Sequence, residues 1–392
     1  MDSIAFPGTD DVENTTSILP DNTTNTIVNI TESYEEEFSL HMFAIFVPLA
    51  WGILTLVAAL GNAVVIYTLI RHGDKNATNY FVINLAISDF AFVVIVVPFT
   101  ATLYVLPEWI FGDGMCKITM YMIYVTLHAT CLTLMAMTID RYCAIVYAIK
   151  SRNWRTTTAS MVVCMIVWLA SIIISLPFAI YFRTTVQIGG YIYCEDVWPE
   201  PKQVYGKASI TLVVLTTYVV PLTVIIYCYA KILQTLWRNK MAHGTQSNGI
   251  TSKKTQLQDK RRKRVTKLVA SVVIVFAVSW LPIHILNIWF KYDPLFPRTP
   301  TMYVMKIVSH TLSYSNSCVN PFVYAFLSDG FRKAFRKTFP SIANRYRICG
   351  GPVDDCVTQV GLVDRTEHNS KSTMTTVLNN HQEERKLMQT DL

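Results

Sequence analysis

The stretch LTLMAMTIDRYCAIVY, residues Leu132–Tyr147, places an acid beside a base, Asp140 and Arg141, within an otherwise apolar run. Lipid disfavours ionised side chains so strongly that such a pair must face a protein interior, water or the membrane surface. The length of the surrounding apolar sequence shows which medium applies, because about 20 apolar residues are needed to span a bilayer.

Apolar runs of that length recur along the chain, which is 52% hydrophobic and 16% charged, with a mean hydropathy of +0.32. Spans one to seven are predicted at Phe43–Ile70, Asn79–Leu106, Lys117–Val146, Thr158–Phe182, Lys207–Leu236, Val265–Phe290 and Thr301–Leu327. The sequence therefore predicts an all-α membrane protein, a seven-transmembrane helix bundle.

The connecting segments predict the orientation of the bundle. Residues 1–41 contain nine acidic residues and no Lys or Arg, whereas Lys231–Lys267 contains eleven Lys or Arg and one acid. The positive-inside rule places the basic segment in the cytoplasm and the N-terminus outside the cell. Three glycosylation sequons in the tail, at Asn14, Asn22 and Asn29, agree with that orientation. We therefore expect a multi-pass plasma-membrane protein with a cytoplasmic C-terminus.

Nine cysteines exclude a framework in which every cysteine is paired. Cys116 and Cys194 are the two at the outer ends of spans, in the oxidising compartment, and we expect them to form a disulfide. Cysteines inside the spans, Cys131 among them, are interpreted as small apolar core residues.

Asp89 lies about ten residues from the inner end of span two, roughly 15 Å deep, near the middle of the bilayer. A carboxyl group at that depth is either hydrogen-bonded and structural or part of a cation or proton site. Polar residues on other spans that could complete a site are Thr130, Asn316 and Asn320, of which the last two share a helix face.

Arg141 follows Cys116 by 25 residues, or roughly 37 Å of helix, which places it at the inner edge of the membrane. One charged pair there is also explained by an interfacial arginine with its counter-ion. Interior prolines in three spans favour a functional reading, because each removes a helical hydrogen bond and can act as a hinge. They are Pro221, Pro282 (two residues after Trp280) and Pro321, which lies within Asn320-Pro-x-x-Tyr324.

In this order and on these spans, the motifs resemble those of the rhodopsin-like G-protein-coupled receptors over roughly residues 42–340. The residues concerned are Gly61-Asn62, Asp89, Cys116, Asp140-Arg141-Tyr142, Trp168, Pro221, Tyr229, Phe276-x-x-x-Trp280-x-Pro282 and Asn320-Pro321-x-x-Tyr324. Ser279 stands where the family usually has Cys.

The resemblance implies roles for these residues. A G-protein coupling switch would consist of Asp140, Arg141, Tyr142, Tyr229 and Tyr324. An activation hinge would consist of Cys131, Pro221, Phe276, Trp280, Pro282, Asn320 and Pro321. Asp89, Thr130, Asn316 and Asn320 are similar to the family's sodium pocket, so one allosteric sodium ion is expected and no other metal or cofactor.

The ligand pocket is expected near the outer ends of the spans, at Ile123, Glu195, Asp196, His284, His310 and Tyr314. Ile123 stands where amine receptors carry Asp, and Tyr314 where opsins carry the Schiff-base Lys. Acidic residues along the outer surface would steer a cationic ligand towards the pocket. A cationic ligand is therefore expected, and the resemblance implies that it is an amidated peptide.

Short sequence segments resemble those of the branch that contains the galanin, allatostatin-A and kisspeptin receptors. The segments Ala129-Thr130-Cys131 in span three and LVASVV in span six are most similar to those of kisspeptin receptors. A kisspeptin-type receptor that signals through Gq and calcium is therefore predicted, with a galanin- or allatostatin-A-type receptor coupled to Gi as the alternative. A transporter or channel is a more distant alternative, because the sequence shows no internal repeat and no ring of pore charges. No enzyme motif and no nucleic-acid partner are indicated.

Three regions are expected: an extracellular glycosylated tail at 1–41, the receptor domain at 42–340 and a disordered cytoplasmic tail at 341–392. An amphipathic helix at 328–339 would lie on the inner leaflet and contact membrane lipid. Cys349 or Cys356 is a candidate for palmitoylation. Receptor kinases and arrestin would act on the tail at Ser370, Ser372, Thr373, Thr375 and Thr376. The terminus, Thr390-Asp391-Leu392, fits a PDZ domain.

Overall fold

A computed structural model describes residues 23–245, 253–297 and 299–340. Side chains are described from residue 45 onwards, except for Arg152 and residues 239–262. Spans one, three, four, six and seven are the helices Thr23–His72, Gly112–Val146, Thr157–Tyr181, Lys253–Tyr292 and Pro300–Leu327. Spans two and five are each interrupted by a π-helical turn. Span two consists of the helices Ala77–Ala91 and Val97–Thr102 on either side of the π-helical turn Phe92–Val96. Span five consists of the helices Lys202–Val214 and Val220–Thr245 on either side of the π-helical turn Leu215–Val219.

The seven-helix bundle and the short terminal helix, Asp329–Thr338, confirm the predicted architecture. Spans one, five and six extend past the predicted boundaries, so helix occupies part of the acidic tail and of the basic inner segment. The predicted glycosylation positions Asn14 and Asn22, and all the predicted palmitoylation, phosphorylation and PDZ positions, lie outside the described residues. Asn29 lies in the helix Thr23–His72, in the part whose side chains are not described. The first compact unit of the chain ends at Thr338.

Six of the described helices are apolar and long enough to cross a membrane, and span seven is not among them although it has 28 residues. Its polar side chains explain the difference, because they are buried rather than exposed to lipid. They include Ser309, His310, Ser313, Asn316, Ser317 and Asn320. Span seven is therefore held in the bundle by polar contacts as well as by its apolar face.

Capping residues set the starts of three spans. Asn76 accepts a hydrogen bond from the backbone N–H of Asn79 at 3.0 Å, and Thr156 accepts one from Ala159 at 3.1 Å. Thr299 begins span seven, followed by a proline at the first helical position. Such side chains satisfy backbone donors that have no partner inside the helix.

Spans two, three and four are joined by the side chain of Asn84, which is buried. Its amide nitrogen donates to Thr133 Oγ1 at 2.7 Å, and its oxygen accepts from Trp168 Nε1 at 2.9 Å. Both ends of one amide are thus satisfied between three helices, as a buried polar group requires.

The outer loop between spans four and five forms an antiparallel hairpin, β1 (Phe182–Val186) and β2 (Ile192–Asp196). This hairpin was not anticipated from the sequence. The disulfide from Cys116 to Cys194 ties β2 to the outer end of span three and confirms the predicted pairing. The hairpin is thereby held close to the outer ends of the helices.

Candidate functional site

A cavity that opens to solvent lies between the outer halves of the spans. Four of the predicted ligand-pocket residues line it together, namely Ile123, His284, His310 and Tyr314. Sequence reasoning missed several others: Phe92, Tyr124, Leu127, Ile210, Val213, Ile283, Asn287 and Ser313. Helical spacing is the signal that could have found some of them, since positions three or four apart share a face.

Three ring nitrogens at this cavity have no hydrogen-bond partner among the described residues. They are Trp280 Nε1, His284 Nε2 and His310 Nε2. Their side chains are at most 8% exposed. Buried polar atoms are nearly always paired in folded proteins, so unpaired ones at a cavity are suited to a bound ligand or to water. Apart from Asn287 and Ser313, the rest of the cavity lining is aromatic or aliphatic, and no Asp, Glu, Lys or Arg is part of it.

A second cavity shares Tyr124, Ile210 and Asn287 with the first. Asp196 lines it and is paired with Lys291 of span six at 3.0 Å. Asp196 also accepts from Trp198 Nε1. The predicted Asp196 therefore already has a positively charged partner within the protein.

Glu195, the other predicted outer acid, lies outside the lining of both cavities. It accepts hydrogen bonds from Thr185 and Gln187 of the same hairpin. Its contacts in this structure are with the hairpin.

Asp89 lies near the centre of the bundle and is 2% exposed. Ser317 Oγ donates to its Oδ1 at 3.0 Å, and Asn320 Nδ2 donates to its Oδ2 at 2.7 Å. The hydroxyl of Thr130, also predicted here, is 3.1 Å from that of Ser88. Ser317 was missed by sequence reasoning, although it is three residues before Asn320 and so on the same helix face.

The side-chain oxygens of Asn316 and Asn320 are buried without a partner among the described residues. The structure therefore brings the predicted polar set to one region of the core and leaves two oxygen acceptors unused. An unsatisfied buried acceptor calls for an explanation, such as a bound ion or water.

Pro321 interrupts the hydrogen-bond ladder of span seven, because proline has no N–H for the carbonyl of Ser317, four residues earlier. Asn62 of span one supplies the missing donor: its Nδ2 lies 2.9 Å from that carbonyl oxygen. The two helices approach closely here, since a Cβ on Gly61 would lie 3.0 Å from Pro321 Cγ. The kink is thus stabilised by a neighbouring span.

The remaining hinge residues connect the cavity with the helices below it. Phe276 and Trp280 pack with ring centroids 6.1 Å apart, and Pro282 lies inside span six. Cys131 contacts the backbone of Thr216 with Sγ 3.9 Å from the carbonyl oxygen. Thr216 belongs to the π-helical turn that precedes Pro221. A π-helical turn in a functional region was not anticipated from the sequence.

At the inner end of span three, Asp140 is bonded to two arginines. Arg141 is paired with its Oδ2, as predicted. Arg155 donates from Nε to Oδ1 at 2.8 Å and from NH2 to Oδ2 at 3.1 Å. Arg155, in the loop before span four, was missed by the sequence analysis.

The predicted tyrosines of the coupling switch make other contacts. Tyr229 donates to the backbone oxygen of Thr266 on span six at 3.3 Å, which links the inner parts of spans five and six. Tyr324 is fully buried, and its hydroxyl has no partner among the described residues. The ring of Tyr142 packs edge-on against Tyr147, with centroids 5.5 Å apart.

A second ion cluster joins span six to the terminal helix. Asp329, the first residue of that helix, is paired with Arg264 of span six and with Arg332. Partial burial acts to raise the pKa of Asp329, but the two guanidinium groups outweigh it and lower that pKa below its ordinary value. The terminal helix buries Phe331 and exposes basic side chains, as expected for an amphipathic helix.

Comparisons with known proteins match this arrangement. The profile described as "7 transmembrane receptor (rhodopsin family)" matches residues 61–324. The chain is 35% identical to galanin receptor type 2 of Mus musculus over 77% of its length and 78% of the relative's. It is 36% identical to G-protein coupled receptor 54 of Oreochromis niloticus, over 78% and 82%.

It is also 36% identical to galanin receptor type 1 of Homo sapiens, over 74% of this chain and 80% of the relative. The relatives are named as receptors and not as enzymes. The chain belongs to the rhodopsin family of G-protein-coupled receptors, in the branch that contains the galanin receptors and G-protein coupled receptor 54.

Proposed function

We propose that this protein is a kisspeptin-type neuropeptide receptor of the plasma membrane, with its N-terminus outside the cell, that activates Gq and raises intracellular calcium. One observation carries the peptide-binding part of the proposal. A largely apolar cavity between the outer helix ends contains three buried ring nitrogens without partners among the described residues. Binding sites typically combine an apolar lining with a few polar groups that orient the ligand.

An amidated peptide end suits this chemistry. A terminal carboxamide is neutral and can both donate and accept hydrogen bonds, so it enters an uncharged cavity without leaving a buried charge unpaired. Cationic residues of the peptide would remain at the outer surface, near Glu108. Asp113 is already paired with Lys117. Asp196 can contribute there only if its pairing with Lys291 rearranges.

The hinge residues would carry the effect of ligand binding to the cytoplasmic ends of the helices. Pressure on Trp280 would move Phe276 and the proline-containing segment of span six. The inner ends of spans five and six would then separate and free Arg141 from Asp140. Arg141 and Tyr229 would line the groove that receives the C-terminal helix of the G protein. A ligand shifts such an equilibrium only as far as it binds the active arrangement more tightly.

A sodium ion at Asp89 would stabilise the resting arrangement. The residues fit a hard cation, which prefers oxygen ligands. The oxygen ligands would be the Asp89 carboxylate, the hydroxyls of Ser317 and Thr130, and the unused amide oxygens of Asn316 and Asn320. Asp89 would supply the compensating negative charge, and the two asparagines would complete the ligand set.

A galanin-type receptor coupled to Gi is the second candidate, favoured by the galanin receptors among the relatives, at 32% to 36% identity. Transfected cells exposed to amidated kisspeptin-type, galanin-type and allatostatin-A-type peptides distinguish the two. We expect calcium release with the first peptide class. Inhibition of cyclic AMP by galanin-type peptides alone would support the second candidate. No response to any peptide, with GTP leaving peptide binding unaffected, would contradict the receptor proposal.

The cytoplasmic side offers further partners, which we propose from the sequence pattern. The terminal helix would contact anionic lipid through Lys333, Arg336 and Lys337. We expect palmitoylation at Cys349 or Cys356. The phosphorylated tail would recruit arrestin, and Thr390–Leu392 would bind a PDZ domain. Acyl labelling, receptor endocytosis and peptide pull-down test these in turn.

A further inference from the structure

We infer that Arg155 is a positioning residue of the coupling switch, which keeps Asp140 neutralised when Arg141 leaves it and so makes activation easier. The inference rests on the proposed function, since it concerns how the receptor reaches its G-protein-binding state. It assigns a role to a residue outside the motifs that marked the switch.

The geometry around Asp140 is the starting point. Its side chain is only 10% exposed, so its charge requires a partner inside the protein. Arg155 reaches both carboxylate oxygens, with N–O distances of 2.8 and 3.1 Å. Arg141 contacts only Oδ2 within hydrogen-bond distance. Arg155 is therefore the more completely engaged partner of the two.

Arg155 is also held independently of Arg141. Its backbone N–H donates to the carbonyl oxygen of Ser151 at 3.0 Å, and Ser151 Oγ donates to the carbonyl of Cys143 at 2.9 Å. The loop that carries Arg155 is thus tied to the inner end of span three. Movement of spans five and six does not require these contacts to break.

The consequence follows from the cost of an unpaired buried charge. Without Arg155, the release of Arg141 would leave Asp140 buried without a cation, which is strongly destabilising. With Arg155 in place, the carboxylate keeps a two-point partner in both states. Removing Arg155 should therefore favour the resting state, whereas removing Asp140 should favour the active one.

The test measures GTPγS loading of a heterotrimeric G protein in membranes with matched receptor levels, without ligand and with a peptide agonist from the screen above. Arg155→Gln should lower basal loading and weaken agonist potency by at least about tenfold, the scale of one lost charge pair. Arg155→Lys should restore most of the signal, because it returns the charge. Lys150→Gln is the matched control, since it removes a charge from an exposed position in the same loop and should change nothing.

The variant Asp140→Asn separates positioning from a structural role. It should raise basal loading, and Asp140→Asn with Arg155→Gln should equal Asp140→Asn alone, because no carboxylate remains to be neutralised. An increase with Arg155→Gln, or the same decrease in the Asp140→Asn background, would overturn the inference while leaving the receptor assignment intact. If no variant, Asp140→Asn included, gave GTPγS loading with any G protein or peptide, both the Arg155 inference and the receptor assignment would be overturned.

Discussion

The outer cavity and the inner ion clusters differ in whether their polar groups find partners within the protein. In the cavity, the ring nitrogens of Trp280, His284 and His310 have no partner among the described residues. At the inner ends, Asp140 and Asp329 each bind two arginines. The outer site thus leaves buried polar atoms open to a ligand or to water, whereas the inner charges are paired within the protein.

This difference assigns different consequences to changes at the two ends. Loss of a cavity group should weaken ligand binding and leave unliganded signalling unchanged. Loss of an inner charge should alter signalling and leave the outer cavity intact. The Asp89 region lies between them and should affect the coupling of the two.

The largest effect is expected from Arg141→Ala. It should reduce G-protein activation to background, because the variant lacks the group that is released towards the G protein, while peptide binding and surface expression persist. GTPγS loading and surface labelling measure the two properties. Normal activation at matched surface levels would contradict the role proposed for Arg141.

At the outer end, His284→Ala should weaken peptide binding by about tenfold to a hundredfold, the value of one or two buried hydrogen bonds. Basal GTPγS loading should remain that of the wild type. Ile285→Ala is the matched control, because the neighbouring Ile285 is 54% exposed and faces away from the core. Equal affinities of the two variants would show that His284 does not contact the ligand.

In the middle of the bundle, Asp89→Asn should abolish the sodium dependence of agonist affinity, since the amide cannot supply the negative charge that a cation requires. Titration of agonist binding with sodium chloride, against choline chloride at equal ionic strength, measures the effect. A variant that still responds to sodium would exclude this pocket.

The smallest effect is expected from Asp329→Asn, which removes the contact between span six and the terminal helix. Exposed ion pairs contribute about 0–1 kcal/mol, so basal loading should rise no more than about fivefold. Because the pKa of Asp329 is lowered, its contribution is complete above the ordinary carboxyl pKa and is lost only as pH falls through the lowered value. The difference from wild type should therefore be constant between about pH 6 and 8. A difference that changes within this range would contradict the assignment.

The sequence predicted much of the fold because apolar run length and charge distribution are local properties. Six of the spans meet that criterion in the structure, and the Cys116–Cys194 disulfide followed from the position of each residue at a span end. Span seven shows the limit of hydropathy. Its polar residues are compatible with the membrane because other helices cover them, and the Asn320-Pro321-x-x-Tyr324 motif identified this span better than its composition did.

Contacts between distant segments could not be predicted in the same way. Arg155 bonds to Asp140 across a loop that carries no motif, and Asn62 bonds to Ser317 across 255 positions. The π-helical turns in spans two and five, and the outer hairpin, likewise had no signal that we read in the sequence. Each depends on how neighbouring helices pack, which local patterns do not specify.

The sequence by itself determined the number and order of the spans and the positions of the family motifs, because burial in lipid imposes length and composition on each segment separately. Only the tertiary structure decided which polar atoms are satisfied and which are left open. Buried polar groups must find partners in three dimensions, and those partners come from helices far apart in the chain.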